Sequence, residues 1–256
     1  MTARPQYVIE HLEDLDVDSP STFPQWALLE YTHMLELVGS GSTVHFTSLS
    51  PRNIDSLRTL LTSSSSSSSA GRANFELHTQ GILSLIESVN VPLEQVCLLD
   101  PKGPLPVSSN DAPRETAAQD GTTTAKQEGF RFFLFGGILG DDPPRDRTAI
   151  LRQMGFPGRH LGPVQMTTDT AVGVTKRVVE DGMLMGLDDE PQRQGAQKIK
   201  WVQYPELKFG RGESVEMPFR YMVDPVRSEK SGTDEPLMPE GMRELIKRDL
   251  DRSFEF

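Results

Sequence analysis

Short apolar runs that stop abruptly at glycine or proline recur along this chain, and helical patterns fill the gaps between them. Phe130-Arg131-Phe132-Phe133-Leu134-Phe135 feeds directly into Gly136-Gly137-Ile138-Leu139-Gly140-Asp141, and Gln95-Val96-Cys97-Leu98-Leu99 ends at Asp100-Pro101. A short run that is apolar at successive positions is a strand covered on both faces, because a half-solvated strand alternates apolar with polar. Further strand patterns lie at 7–12, 43–47, 159–162 and 199–205. Between them, Ala27, Tyr31, Met34, Leu35 and Val38 recur at helical spacing and stop at Gly39; helical segments also span 54–61, 81–89, 145–154, 168–181 and 240–250. Alternating strands and helices predict an α/β fold with a mostly parallel sheet flanked by helices, and a ligand site outside the carboxyl ends of its strands.

Two stretches interrupt this pattern. The run Ser63 to Ser69 cannot pack a core, and residues 102–128, rich in Pro, Ser, Asp, Thr and Gly, lack hydrophobic periodicity. They read as flexible insertions, at 62–70 and 102–128, in a single domain spanning 1–256. With 36% apolar residues among 256 the chain can bury one sizeable core. No apolar run reaches the roughly 20 residues of a membrane span, and the amino terminus leads into a strand pattern instead of a secretory segment, so a cytoplasmic protein is expected. Cys97 is the sole cysteine, which precludes an intramolecular disulfide. Its five histidines show no ligand spacing in sequence, and no metal is predicted. The balance of 26 Lys plus Arg against 37 Asp plus Glu gives a net charge of -11, which repels nucleic-acid phosphates and attracts basic proteins.

Three loops that follow buried strands combine glycine, proline and small polar residues: Leu99 to Gly103, Phe135 to Asp141 and Leu161 to Thr170. Such loops let the backbone approach a ligand, although each alone reads equally as a tight strand-to-helix turn. The second lacks the offsets of a dinucleotide fingerprint and the Gly-Lys-Ser/Thr ending of a phosphate loop. Arg145 and Arg147 fall in the first turn of a helix, where the macrodipole disfavours cations by about 0.3–1 kcal/mol. Either neighbouring Asp141, Asp142 or Asp146 pairs with them, or an anionic ligand group does.

Gly136 to Thr148 (Gly-Gly-Ile-Leu-Gly-Asp-Asp-Pro-Pro-Arg-Asp-Arg-Thr), Gln165 to Ala171, Tyr204 to Glu206, Glu216 to Tyr221 and Pro239 to Met242 together resemble, in this order, the SPOUT-class protein arginine methyltransferases of fungi. The resemblance covers most of the chain apart from the two insertions. It implies a SPOUT sheet with a deep carboxyl-terminal trefoil knot, S-adenosylmethionine as cofactor, and an arginine of a small-subunit ribosomal protein, protein three, as acceptor. It further implies action as a monomer on a basic ribosomal protein on or near the small ribosomal subunit, with no membrane and no stable nucleic-acid binding. Cofactor contacts carried over by position are Leu99, Asp100, Pro101, Phe135, Gly136, Gly137, Ile138, Leu139, Gly140, Leu161, Gly162, Gln165, Met166, Thr167 and Thr168. The loops resemble more distantly those of a bacterial tRNA guanine methyltransferase, so tRNA or rRNA methylation is the second reading and a non-catalytic ribosome-binding module the third.

A guanidinium acceptor is protonated, with a pKa above about 12, so carboxylates must orient it and one must take its proton. Asp141, Glu206 and Glu10 are the catalytic candidates. Arg145, Arg147, Asp169, Glu216, Phe219 and Tyr221 are candidates for holding the acceptor, although Asp169 suits the first turn of its helix and Phe219 and Tyr221 suit a packed strand.

Overall fold

A computed structural model describes residues 4–11, 23–63, 71–116, 126–137, 148–188, 190, 193–210 and 212–253. In chain order the elements are β1 (Gln6–Glu10), α1 (Gln25–Val38), β2 (Thr43–Thr47), α2 (Pro51–Ser63), β3 (Asn74–Leu77), α3 (Ile82–Ser88), β4 (Val96–Leu99), β5 (Arg114–Thr116), β6 (Lys126–Glu128), β7 (Phe132–Gly136), α4 (Thr148–Gln153), β8 (Gly158–Arg159), α5 (Thr168–Val179), β9 (Trp201–Gln203), β10 (Glu206–Gly210), β11 (Glu213–Glu216), β12 (Arg220–Met222), α6 (Pro225–Ser231) and α7 (Met242–Ser253).

Six strands form one sheet in the order β3-β2-β1-β7-β4-β8, every pair parallel. The expected parallel sheet is therefore present. Its central strands are the runs that were apolar on both faces, because each face is covered. On one face Tyr7, Ile9, Phe46, Cys97, Phe133 and Phe135 pack with Tyr31, Leu35, Leu57, Val174 and Val178 of α1, α2 and α5. On the other, Val8, Leu98, Phe132 and Leu134 pack with Ile82, Leu85 and Ile86 of α3 and Leu151 of α4. Full burial of each such side chain stabilises by about 1.5–3 kcal/mol.

The chain lays β2 and β3 to one side of β1, then places β4 on the other side and later inserts β7 between them. Such a reversal opens a crevice at the carboxyl ends of the flanking strands. Among the described residues, no helix is long and apolar enough to cross a membrane.

Two expectations need correction. The strand at 199–205 does not join the parallel sheet: β9 is half-exposed and pairs antiparallel with β12, as suits a short strand with one solvated face. Part of the 102–128 insertion folds, since β5 and β6 pair antiparallel and Ser108 caps a helical turn at Ser109–Asp111. Buried Asp111 receives the guanidinium of Arg159 at 3.0 Å, so this segment is held by polar capping and an ion pair that periodicity does not register. β10 and β11 pair antiparallel as a separate hairpin, with Gly210 and Gly212 at positive φ; Ser64 to Ser69 and 117–125 lie outside the described residues.

Candidate active site

The carboxyl ends of β4 and β7 and the loop from β8 into α5 enclose a cavity of about 420 Å³, within the ~300–1,000 Å³ typical of small-molecule sites. Leu99, Asp100, Pro101 and Lys102 supply one wall, Phe135, Gly136 and Gly137 a second, and Leu161 to Met166 with Thr168 and Ala171 a third. The three loops singled out in sequence thus meet at the crevice where the strand order reverses. Leu99, Phe135, Leu161 and Met166 give it apolar walls, while Gln165, Thr168 and the backbone at Gly136 and Gly137 add polar groups.

Asp100 holds the first wall. Its carboxylate accepts a forked pair of hydrogen bonds from Arg152 of α4, one from Nη2 at 3.0 Å, and bonds from the Lys102 backbone N–H at 3.0 Å and Thr148 Oγ1 at 3.2 Å. Burial pushes the carboxyl up, but the Arg152 and Lys102 hydrogen bonds outweigh it and hold it below the usual carboxylate range. The turn then tightens as the Gly103 N–H donates to the Asp100 carbonyl at 2.8 Å. A Cβ at Gly103 would lie 2.5 Å from the Arg159 carbonyl carbon, so only glycine lets the β4 and β8 loops approach this closely.

Arg220 holds the third wall. Its Nη2 donates to the Leu161 carbonyl at 2.8 Å, its backbone N–H donates to the Gln165 carbonyl at 2.8 Å, and its guanidinium lies 3.8 Å from the Trp201 ring centre. Trp201 in turn donates from Nε1 to the Met185 carbonyl at 2.8 Å. Gly162, at φ +94°, makes the bend beneath Arg220, where a side chain would be strained.

Of the proposed cofactor contacts, Leu99, Asp100, Pro101, Phe135, Gly136, Gly137, Leu161, Gly162, Gln165, Met166 and Thr168 line this one cavity. Thr167 sits at the start of α5 and donates from Oγ1 to Thr170 Oγ1 at 2.8 Å. Ile138, Leu139, Gly140, Asp141, Arg145 and Arg147 lie outside the described residues.

Glu10 pairs in register with Gly136 but turns to the opposite side, accepting from Thr47 Oγ1, from Ser48 Oγ at 2.7 Å and from the Ile82 N–H at 2.9 Å. It thereby anchors the first turn of α3 instead of facing the cavity. Glu206 and Glu216 are exposed and opposite each other on the β10–β11 hairpin, where Glu206 accepts from Ser214 Oγ at 2.7 Å; neither lines the cavity, because this hairpin forms its own ladder apart from the sheet. Asp169 is buried behind the third wall and bonded to His33 Nδ1 at 2.7 Å, next to Glu30, whose carboxyl is pushed up by burial and by Asp169. Tyr221 is buried and Phe219 half-buried, with their rings edge-to-face 6.5 Å apart.

Residues 6–253 match the family described as Protein arginine N-methyltransferase SFM1-like. The chain belongs to this family. It is 32% identical to the Protein arginine N-methyltransferase SFM1 of Saccharomyces cerevisiae, with 98% of each chain covered. Among solved structures it resembles the yeast arginine methyltransferase SFM1 complexed with SAM, at 31% identity and TM-score 0.67, over 96% of this chain and 91% of that one. The SAH complex of the same yeast enzyme gives 31% identity and TM-score 0.65, over 94% of each chain.

Arg152 and Arg220 position the walls of this SFM1-like site, and neither was singled out as a positioning residue in sequence. Each nevertheless left a trace. Thr148 and Arg152 stand four apart on α4, and Arg220 interrupts an aromatic strand, where a cation must find partners.

Proposed function

We propose that the cavity binds S-adenosylmethionine and that the chain transfers its methyl group to an arginine side chain of a basic small-subunit ribosomal protein. The observation that carries this reading is the convergence of three strand-end loops on one apolar-walled cavity in a chain of the SFM1-like family. The residues suit such a cofactor: Leu99, Phe135, Leu161 and Met166 would enclose its flat base, and Gln165, Thr168 and the Gly136-Gly137 backbone would meet its polar groups. When bound, it supplies an electrophilic methyl carbon on a sulfonium.

The chain itself must align the acceptor nitrogen and remove its proton. Asp100 is already engaged by Arg152, and Glu10 by three donors, so neither is free for that task. Asp141, five residues beyond Gly136 in sequence, is the carboxylate assigned to it. As the nitrogen–carbon bond forms and the carbon–sulfur bond breaks, the electron pair goes to sulfur and the proton from nitrogen to Asp141. The net charge of -11 favours a Lys- and Arg-rich partner over RNA, and the same reading has the enzyme act as a monomer in the cytoplasm. Asp141→Asn is expected to cut turnover at least about tenfold with calorimetric affinity for S-adenosylmethionine unchanged. Wild-type turnover would remove Asp141 from the mechanism.

A further inference from the structure

The methyl-donor cavity lies at the β7-β4-β8 side of the sheet, and a different set of side chains converges at the opposite edge. The parallel register of β2 and β3 sets His45 beside Glu76, and His78 directly follows the end of β3. His45 Nδ1 lies 3.1 Å from His78 Nε2 and 3.4 Å from Glu76 Oε2, and the last two atoms are 3.6 Å apart. Three ligand-type atoms thus form a nearly equilateral triangle.

A single shared proton can join only two of these atoms. A central cation satisfies all three. For a tetrahedral zinc site with bonds of about 2.0–2.1 Å, the ligand atoms stand about 3.3–3.4 Å apart, close to the spacings found here. The surroundings are those of a ligating histidine. His45 Nε2 is 2.6 Å from Gln6 Oε1; an oxygen can only accept, so Nε2 carries the proton and Nδ1 directs its lone pair at the triangle. The Phe132 ring, 5.6 Å away, shields His45 on one side, whereas Glu76 is exposed and leaves the other side open to solvent.

We propose that His45, Glu76 and His78 bind a divalent transition-metal ion of the zinc class, with solvent in the fourth position. The ion ties edge strand β3 to β2 and, through Gln6, to β1. Sequence spacing conceals this site because His45 and Glu76 stand 31 positions apart and only the strand register unites them.

The full chain, freed of any affinity tag, is to be titrated with Zn²⁺ against a chromophoric chelator, and separately with Co²⁺ while its visible spectrum is recorded. The expected result is one equivalent of Zn²⁺ bound, an affinity at least about tenfold weaker in His78→Ala and in Glu76→Gln, and the intense visible absorption of tetrahedral Co²⁺. Glu76 is exposed, so its variant reads the site without endangering the fold. Absence of stoichiometric Zn²⁺ binding, equal affinity in wild type and both variants, or an octahedral Co²⁺ spectrum would overturn the proposal.

Discussion

Asp100 joins two parts of the site through one side chain: it fixes the loop after β4 and clamps α4 against it through Arg152. Asp100 is buried but the Arg152 side chain is 35% exposed, so losing the carboxylate charge costs charge-assisted hydrogen bonds while water still reaches the cation. Asp100→Asn is therefore expected to destabilise the fold by about 2–3 kcal/mol at neutral pH and to weaken cofactor binding. Because the folded carboxyl is held below its ordinary value, its contribution is complete above the unfolded carboxylate pKa and disappears as pH falls through the lower, folded one. Denaturant midpoints measured against pH should thus show wild type and variant separated at neutrality and converging in acid; a constant gap would contradict the pairing. In sequence Asp100 was legible as the end of a buried strand and as a residue of the first cofactor loop. Its engagement with Arg152 was not, because 52 positions separate the two and no local pattern links them. Glu10 and Glu206 show the same limit: a carboxylate at a strand end can anchor a helix or lie on a solvated hairpin, and only its partners distinguish these roles.

The long elements were legible because burial leaves a period in sequence. β1, β2, β4 and β7 lie where apolar runs placed them, and α1, α3 and α5 follow their apolar spacing. β3 leaves little trace in sequence because Asn74-Phe75-Glu76-Leu77 carries only two apolar residues at a sheet edge, and a three-residue run such as β9 does not encode its partner strand. The three loops that line the cavity are legible as glycine- and proline-rich strand ends, whereas the struts that hold them are not. Arg220 is the clearest of these, bridging β12 to Leu161 and Gln165 and stacking on Trp201 of β9. Lysine keeps the charge but loses the planar fork and the stacking. Arg220→Lys should therefore weaken S-adenosylmethionine binding about tenfold while leaving the helical circular-dichroism signal intact. Unchanged calorimetric affinity would show that the third wall does not depend on this strut.

At the scale of the whole molecule, one parallel sheet carries two chemically distinct edges. The reversal of strand order creates the cavity at the carboxyl ends of β7 and β4, and the β2–β3 register creates the histidine-glutamate triangle at the opposite edge. Neither depends on the other, so a metal-free variant at His78 should retain the cavity. The acidic total charge argues for a basic protein acceptor, and family membership places arginine methylation at the centre of the account. Its most direct test is transfer of labelled methyl from S-adenosylmethionine to purified small ribosomal subunits, with protein and RNA separated before counting. The account predicts label in one small-subunit protein, recovered as methylarginine after hydrolysis; label in RNA, or none in either fraction, would contradict it.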